Sequence, residues 1–315
     1  MSTGRPSAEI DPLEESLSLD IKKYLTTRRE WCNRYITEYM ENRCDDSFAK
    51  LRDAMSYSLF AGGKRVRPIL VMAACEAAGG DEKHTIPFGV ALEMVHTFSL
   101  IHDDLPSMDD DDYRRGKLTN HKVYGEAHAI LAGDALLAEA FRVLSRPDLY
   151  PPVTAETGLA VMREVAEATG ICGMVGGQSL DLLSENKAIE PDNLYLMHLC
   201  KTARFIECAT VTGAILAQAD EGTIESMRRY GEDIGMAFQI VDDCLNAAGD
   251  EKIMGKATGS DAERGKATYP ALYGLEESRK KAHEHVTKAI DALESFGPRG
   301  ETLRQIALYI IKRNR

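Results

Sequence analysis

Residues 91–116 read ALEMVHTFSLIHDDLPSMDDDDYRRG, and this stretch joins an apolar helical pattern to a dense run of acids. Asp103, Asp104 and Asp109 lie at or just beyond the C-terminal end of the predicted helix 87–104. Acids at this end oppose the helix dipole, and clustered carboxylates raise one another's pKa. A hard divalent cation with oxygen ligands removes both penalties, so the sequence predicts a Mg²⁺ site formed by these acids.

A second acidic pair, Asp242 and Asp243, closes another apolar segment, AFQIVDD at 237–243. Two such pairs at the ends of apolar helices are hard to explain as structural features, because clustered carboxylates repel one another. We therefore expect Asp242 to join the metal site. The acids at 110–112 are expected to form a solvated loop instead.

Basic residues supply a second signal. Gly62 and Gly63 precede Lys64 and Arg67 at the start of a predicted helix, where backbone N–H groups and cations suit an anion. The spacing does not match a Walker loop. The pattern therefore indicates an anion site of another kind.

Further basic residues are spread over other segments, namely Arg114, Arg115, Lys201, Lys256 and Lys266. Direct contacts from Arg and Lys, and carboxylates acting through a metal, are two different ways to bind phosphate. The sequence therefore indicates two phosphorylated groups that are held differently. His96 lies two helical turns before Asp103 on the same helix face. The pattern fits a histidine of the core and an anion ligand equally well.

Helical periodicity covers nearly the whole chain, whereas strand-like alternation is scarce. The fold class is therefore predicted as all-α, with one helical domain at 13–315 after a loose segment at 1–12. Helices are expected near 13–42, 47–60, 68–78, 87–104, 125–146, 154–169, 171–184, 191–217, 221–247, 270–294 and 300–312. Two non-helical segments lie at 105–120 and 249–269, and the second is expected to be a mobile lid.

The composition excludes several classes of protein. The 315 residues carry a net charge of −12 and 44% hydrophobic residues, which is ordinary for a globular protein and argues against nucleic-acid binding. No apolar run approaches the ~18 residues of a membrane span, and the N-terminus does not resemble a signal peptide. The seven cysteines form no CxxC pair, so we expect reduced thiols and a cytoplasmic location.

Taken together, these segments resemble the trans-isoprenyl diphosphate synthase family. Besides the stretch quoted above, the matching blocks are, in family order, LFAGGKRVRP, GEAHAILAGDALL, GGQSLDL, KTA, FQIVDD, GKATYPALYGLEESRKKA and YIIKRNR. The resemblance covers about residues 45–315. It implies the isoprenoid synthase fold, a bundle of long helices around a central catalytic cavity, and a homodimer.

The resemblance also implies a reaction, which is the head-to-tail condensation of dimethylallyl or geranyl diphosphate with isopentenyl diphosphate. Three Mg²⁺ ions are implied, with Mn²⁺ as a substitute. The implied metal ligands are Asp103, Asp104, Asp109 and Asp242. The residues implied to hold the allylic diphosphate are Arg114, Lys201, Lys256 and, in the closed lid, Lys266. Those implied to hold isopentenyl diphosphate are Lys64, Arg67, His96 and Arg115. Those implied to point oxygens toward the carbocation are Thr202 and Gln239.

The second acidic motif departs from the family pattern DDxxD, because Asn246 stands where a third aspartate is usual. An amide keeps an oxygen ligand but lacks the charge, so weaker metal binding is expected on that side. A non-catalytic partner subunit of another prenyl synthase is therefore one alternative. A terpene cyclase is another, although it has no use for the bases that the resemblance assigns to isopentenyl diphosphate.

Product length is expected to depend on Phe98 and Ser99. Ser99 lies one turn before Asp103, and Phe98 lies roughly 7.5 Å before it along the helix axis at about 1.5 Å rise per residue. A small Ser99 leaves the cavity wall open, whereas the ring of Phe98 can form a floor. This pair resembles bacterial members that make the C15 product, farnesyl diphosphate. The alternatives are geranylgeranyl (C20) and geranyl diphosphate, and a plain core role for Phe98.

Overall fold

The computed structural model describes residues 20–146, 150, 152–248 and 265–312. Within these residues the chain is almost entirely helical, which confirms the predicted all-α class. The α-helices are α1 (Ile21–Glu41), α2 (Ala49–Leu59), α3 (Val66–Ala77), α4 (Ile86–Asp103), α5 (Asn120–Tyr124), α6 (Glu126–Leu144), α7 (Ala155–Thr169), α8 (Met174–Ser184), α9 (Pro191–His198), α10 (Arg204–Leu216), α11 (Glu221–Ala248), α12 (Tyr269–Tyr273), α13 (Leu275–Asp291) and α14 (Glu301–Lys312). Short 3₁₀ segments lie at Asp46–Phe48, Glu82–Thr85 and Glu294–Gly300, and a π-helical segment, Leu199–Ala203, joins α9 to α10.

The main core surrounds α4, which is apolar on nearly every face. Phe88, Leu92 and Val95 are fully buried there, and α4 packs against α3 and α6. Helix α10 packs against both α3 and α11. A Cβ on Gly213 would lie 2.3 Å from the carbonyl oxygen of Val71, so α10 approaches α3 this closely only because residue 213 is glycine. These contacts fix the end of α4, where the first acids lie.

A second, smaller cluster of buried apolar side chains joins α9, α11 and α12. Met197, Ile240 and Tyr269 belong to it. Because α11 ends in this cluster, the packing also determines where the second acidic pair is placed.

Two predicted helices are interrupted in the structure. The predicted helix 191–217 contains the π-helical segment Leu199–Ala203, and the predicted helix 270–294 breaks at Gly274, whose φ is 80°, and ends at Asp291. Periodicity misses such breaks because the flanking residues still keep an apolar face. The first described helix begins at Ile21, where the side chain of Asp20 caps the helix.

The predicted non-helical segment 105–120 contains a small antiparallel hairpin. Its strands are β1 (Tyr113–Arg114) and β2 (Lys117–Leu118). Between them, Arg115 and Gly116 have positive φ values of 54° and 77°, as a type I′ turn requires. The turn directs neighbouring arginines to different parts of the site.

Some predictions fall outside the described residues, namely the loose segment 1–12, residues 13–19 of the first predicted helix, and residues 249–264 of the predicted lid, which include Lys256. The single domain at 13–315 stays a prediction. The seven cysteines are all free thiols. Among the helices that the structure describes, none has the length and apolar character needed to cross a bilayer.

Candidate active site

The first acids gather where α4 ends. Burial raises the pKa of Asp103 to about 6; the charge of Lys201 opposes this shift and that of Asp109 adds to it. The loop after α4 turns back, so that the backbone N–H of Asp109 donates to the backbone carbonyl of Asp103 at 2.8 Å. The negative charge of Asp103 is therefore only partly balanced, which favours a cation ligand.

The negative charge of Asp104 is balanced by Arg114 of the hairpin. Its carboxylate is buried, and its Oδ1 accepts a hydrogen bond from Nε of Arg114 at 2.7 Å. Arg114 also lies 3.5 Å from Asp111. Burial raises the pKa of Asp104, although Arg114 opposes the shift. The structure thus brings Arg114 to the acids, whereas its contact with the allylic diphosphate stays a prediction.

Two lysines complete this acidic side of the site. Lys201 lies on the π-helical segment, and its Nζ is 2.5 Å from Oδ2 of Asp181 on α8. Burial lowers the pKa of Lys201, but Asp181, Asp103 and Asp109 outweigh this effect and the pKa rises to about 12. Lys266 Nζ lies 2.7 Å from Asp109 and 3.7 Å from Asp181. Acids and lysines therefore alternate around one small volume.

A glycine on α8 allows this arrangement. A Cβ on Gly177 would lie 2.2 Å from the backbone nitrogen of Lys201. Only glycine lets α8 pack directly against the π-helical segment, and that packing brings Asp181 to the lysine. π-Helical turns are frequent at functional sites, and here the turn carries two predicted site residues.

The acids fit a Mg²⁺ ion only if another group shares it. Within the described residues, no three His, Cys, Asp or Glu side chains converge closely enough to hold a metal by themselves. Mg²⁺ in proteins commonly takes one or two carboxylates and completes its shell with substrate phosphates and water. The raised pKa of Asp103 supports the fit, because a divalent cation relieves unbalanced negative charge.

A separate basic cluster lies at the start of α3. Burial lowers the pKa of Arg67 to about 10; Glu93 opposes this shift and Arg115 adds to it. The Nε of Arg67 is buried and has no hydrogen-bond partner among the described residues. Burial, Arg67 and Arg115 lower the pKa of His96 well below its usual value, so this imidazole is neutral at pH 7. An anion bound here would relieve the unbalanced positive charge.

Arg115 reaches the glycine loop that precedes α3. Its Nη1 donates to the carbonyl of Gly62, and a Cβ on Gly63 would lie 2.6 Å from the same nitrogen. Lys64 follows with an exposed side chain. The structure therefore brings Arg67, His96 and Arg115 together and places Lys64 at the outer edge of the same loop.

Arg65 lies between two of the predicted anion ligands but has a structural role. Its Nη1 lies 2.8 Å from Oε1 of Glu93, and both side chains are 2% exposed. Its Nε donates to Oδ1 of Asn33 at 3.0 Å, and its φ of 51° turns the chain sharply before α3. Arg65 fastens the loop to α4 and α1, whereas Nε of Arg67 has no hydrogen-bond partner among the described residues.

Thr202 and Gln239, which are predicted to face the carbocation, belong to a chain of hydrogen bonds. The hydroxyl of Thr202 donates to Oε1 of Gln239 at 2.8 Å, and Nε2 of Gln239 donates to Oδ1 of Asp243 at 2.9 Å. Asp242 is half-buried, whereas Asp243 and Asn246 are buried. The two acids of the second pair therefore differ, because Asp242 is accessible and Asp243 is buried.

The two predicted chain-length residues lie inside α4. Phe98 is 6% exposed, and its ring is edge-on to His102 with 5.6 Å between centroids. His102 Nε2 lies 3.0 Å from the carbonyl oxygen of Ile130 on α6. Ser99 is half-buried and donates to the carbonyl of His96 at 2.9 Å. Phe98 thus belongs to the α4–α6 contact, and its role as a floor stays a prediction.

Two residues of α8 were missed by the sequence reasoning. Asp181 is 5% exposed and contacts both site lysines. Gln178 lies one turn earlier, and both polar atoms of its amide are buried without a partner in the described part of the chain. Both belong to the block GGQSLDL, where a single acid in a run of small and apolar residues was a detectable signal.

Comparison with known proteins supports a common family for all of these segments. Residues 48–297 match the family described as "Polyprenyl synthetase". The chain is 42% identical over 295 residues to a farnesyl diphosphate synthase of Micrococcus luteus, which covers 94% of this chain and 100% of that protein. It is 47% identical over 263 residues to a geranylgeranyl diphosphate synthase of Cyanophora paradoxa, with 83% and 87% covered.

Solved structures extend the similarity to three dimensions. The apo crystal structure of an FPP/GFPP synthase from Zymomonas mobilis superposes with a TM-score of 0.82 at 35% identity, covering 93% of this chain and 99% of that chain. A geranyltransferase from Legionella pneumophila gives a TM-score of 0.81 at 32% identity, with 93% and 97% covered. The shared fold therefore includes the helices that carry both the acids and the bases.

Proposed function

The chain belongs to the polyprenyl synthetase family, and on that premise we propose that it joins an allylic diphosphate head to tail to isopentenyl diphosphate in a Mg²⁺-dependent reaction. It is a short-chain prenyltransferase, the allylic substrate is dimethylallyl or geranyl diphosphate, and the main product is farnesyl diphosphate. The farnesyl diphosphate synthase of Micrococcus luteus, which matches along its entire length, supports this product.

The observation that carries the proposal is the presence of two charge clusters of opposite character. One combines carboxylates with Lys201 and Lys266. The other combines Arg67 and Arg115 with a neutral His96. A diphosphate shared with metal ions suits the first cluster, and a diphosphate held directly by cations suits the second. Two diphosphate substrates require both kinds of site.

The acidic cluster would hold the allylic substrate. Asp103, Asp104, Asp109 and Asp242 are the residues that would bind Mg²⁺, three ions when diphosphate is present. The bound ions would supply positive charge that stabilises the leaving diphosphate. Arg114 and Lys201 add direct contacts to the same group, and we also assign Lys256 and Lys266 to it as residues of the lid.

The basic cluster orients isopentenyl diphosphate toward the allylic carbon. When the allylic C–O bond breaks, its electron pair leaves with diphosphate and the carbon becomes cationic. The alkene of isopentenyl diphosphate then forms the new C–C bond, and the resulting cation loses a proton to the departed diphosphate. Thr202 and Gln239 present oxygens that stabilise the positive charge as it develops. Lys64, at the outer edge of its loop, is assigned to the second diphosphate.

Water must be excluded from the site, because a water molecule would react with this cation. The contact between Lys266 and Asp109 links the start of the described residues 265–312 to the loop after α4. Both side chains are about nine-tenths buried, at 10% and 9% exposed. We propose that this contact helps to close the site from one side.

We also propose that the protein forms a homodimer. Several large apolar side chains are exposed on or next to α6, α7 and α8, namely Ile130, Leu131, Leu159, Ile171 and Val175. Exposed apolar residues of this size favour burial in an interface with a second copy. Free thiols at all seven cysteines support the proposed cytoplasmic location.

Geranylgeranyl diphosphate is the second candidate product. The specific observation in its favour is the identity of 47% to the enzyme of Cyanophora paradoxa. The longer product requires a deeper cavity below the acids, and Phe98 is the residue expected to limit that depth.

One assay tests the proposed function. The protein is incubated with labelled isopentenyl diphosphate, dimethylallyl diphosphate and Mg²⁺, and products are separated by chain length. We expect a labelled C15 product that disappears with EDTA and returns with added Mg²⁺. An absence of any prenyl product from the intact protein would contradict the assignment, and a C20 product would select the second candidate.

A further inference from the structure

Asp243 and His198 are, we propose, positioning residues that fix the orientation of the Gln239 amide. They hold it so that its oxygen, and not its NH₂ group, lies on the side of Thr202. The inference rests on the proposed function, because it assigns these residues to the carbocation step of that reaction. It gives Asp243 a role different from that of its neighbour Asp242.

Both carboxylate oxygens of Asp243 accept hydrogen bonds from protein groups. Oδ1 accepts from Nε2 of Gln239 at 2.9 Å, and Oδ2 accepts from the backbone N–H of Tyr269 at 3.0 Å. His198 Nε2 lies 3.5 Å from the same Oδ2. The carboxylate is therefore hydrogen-bonded from α11 and α12 and contacted from α9, and its side chain is 4% exposed.

The chemistry of a carboxylate decides which way the amide points. An ionised carboxylate can only accept hydrogen bonds, so the NH₂ group of Gln239 must face Asp243. The amide oxygen then points the other way, where the hydroxyl of Thr202 donates to it at 2.8 Å. A reversed amide would direct N–H groups, with their positive charge, toward a developing carbocation, and this would raise the barrier.

His198 supports the carboxylate in two separable ways. Its Nε2 contacts Asp243, and its ring stacks on Tyr269 with 5.3 Å between centroids and an interplanar angle of 17°. His198 is also the last residue of α9, directly before the π-helical segment that carries Lys201 and Thr202. His198 therefore connects Tyr269, at the start of α12, to the π-helical segment that carries the hydroxyl of Thr202.

Two substitutions at His198 separate these contacts. His198→Phe keeps an aromatic ring for Tyr269 but removes the nitrogen near Asp243, whereas His198→Gln keeps an amide nitrogen and removes the ring. We expect His198→Phe to lower kcat roughly 10- to 100-fold, as loss of an outer supporting contact often does. KM for both diphosphates should change by less than about threefold, because other residues hold them. His198→Gln should keep kcat within about threefold of the wild type.

The chain offers a matched control. His285 also pairs with an aspartate, since its Nδ1 lies 2.7 Å from Asp233, and it also stacks on a tyrosine, Tyr195, with 6.5 Å between centroids. His285→Phe should leave kcat and both KM values unchanged. Thermal unfolding of all variants shows whether an activity loss follows stability.

The outcomes are distinct. If the wild type forms prenyl product and His198→Phe retains its kcat, the positioning role is overturned while the proposed function stands. If His198→Gln loses as much kcat as His198→Phe, the role is structural and the inference is also overturned. If the wild type forms no prenyl product, both the proposed function and the inference are overturned.

Asp243→Asn decides the matter if His198→Phe does not fold. An amide at this position can donate as well as accept, so Gln239 is free to reverse. We expect a kcat loss with an unchanged midpoint for Mg²⁺ activation. A wild-type kcat, or a shifted Mg²⁺ midpoint that would reveal a metal ligand, would each overturn the inference.

Discussion

Lys266 Nζ lies 2.7 Å from Oδ1 of Asp109, although 157 positions separate the two residues in the chain. The same lysine lies 3.7 Å from Asp181 on α8. One ammonium group therefore stands between carboxylates from two distant segments. In the proposed reaction both groups face the same diphosphate, Asp109 through Mg²⁺ and Lys266 by direct contact, so the position of this lysine is coupled to substrate binding.

The acids give the first prediction. Asp103→Ala or Asp242→Ala should lower kcat by at least ~10², which is the size expected for losing a major electrostatic stabiliser. Asn246→Asp should be mild or strengthen Mg²⁺ activation, because it restores a charge. Steady-state kinetics over a Mg²⁺ titration measure both effects. Asp112→Ala is the matched control, because Asp112 is exposed and pairs with Lys122. Unchanged turnover in Asp242→Ala would show that Asp242 is wrongly assigned as a metal ligand.

Two neighbouring arginines should behave in opposite ways. Arg67→Ala should mainly raise KM for isopentenyl diphosphate and leave stability little changed, because its guanidinium has a buried nitrogen without a partner among the described residues. Arg65→Ala should lower the free energy of unfolding by about 3–5 kcal/mol, because it leaves Glu93 buried and unpaired. Kinetics and chemical denaturation separate the two effects.

Lys64→Ala extends the same comparison. It should also raise KM for isopentenyl diphosphate more than KM for the allylic substrate, whose diphosphate is held mainly through the acids and Lys201. Equal changes in both KM values, for Lys64→Ala and for Arg67→Ala, would argue against two separate diphosphate sites.

Product length should respond to Phe98. Phe98→Ala removes the proposed floor, so products should shift from C15 toward C20 or longer while KM values change little. A buried Phe→Ala change costs about 3–5 kcal/mol of stability, so Phe98→Leu serves as a milder variant. Phe88→Leu is the control, because Phe88 is buried in the same helix but packs on Tyr150. Unaltered chain length in both Phe98 variants would assign the floor to another residue.

Gly177 tests the packing of α8 against the π-helical segment. Gly177→Ala places a methyl group 2.2 Å from the backbone nitrogen of Lys201, so α8 must move and carry Asp181 away from the lysine. We expect a higher KM for the allylic diphosphate and a lower unfolding temperature. Gly222→Ala is the control, since its nearest neighbour, Asp220, lies at 3.6 Å. Wild-type kinetics in Gly177→Ala would show that this close approach does not position Lys201.

Glu82 carries a pH-dependent prediction for stability. Burial and Glu76 raise its pKa from 4.5 to about 7, although Arg28 opposes the shift. Between these values the folded state binds more protons than the unfolded state, so this carboxyl lowers stability as pH rises. Relative to the wild type, Glu82→Gln should therefore gain about 1–2 kcal/mol between pH 5 and pH 8.

Chemical denaturation at several pH values measures this gain. Glu276→Gln, whose side chain is 88% exposed, should not reproduce it. A difference between Glu82→Gln and the wild type that stays constant from pH 5 to pH 8 would contradict the raised pKa.

Much of the fold and several site residues could be predicted from the sequence. Periodicity located the helices because an apolar stripe every three or four residues is a local property of the chain. The acids at 103–109 and the glycine loop before α3 were visible because their chemistry is unusual at the ends of apolar helices. The sequence analysis singled out Arg67 but gave Arg65 no role, because the contacts of Arg65 with Asn33 and Glu93 join segments that are distant in the chain.

The sequence by itself therefore determined the helical class and the family, and it predicted two kinds of phosphate-binding residue. Only the tertiary structure decided which side chains meet, because contacts between Asp181 and Lys201, or between Lys266 and Asp109, join segments far apart in the chain. It also decided that Asp243 faces Gln239 and Tyr269. A buried carboxylate needs hydrogen-bond donors. Here the packing supplies them from segments that are distant in the chain, so the donors of Asp243 could not be identified from the order of residues.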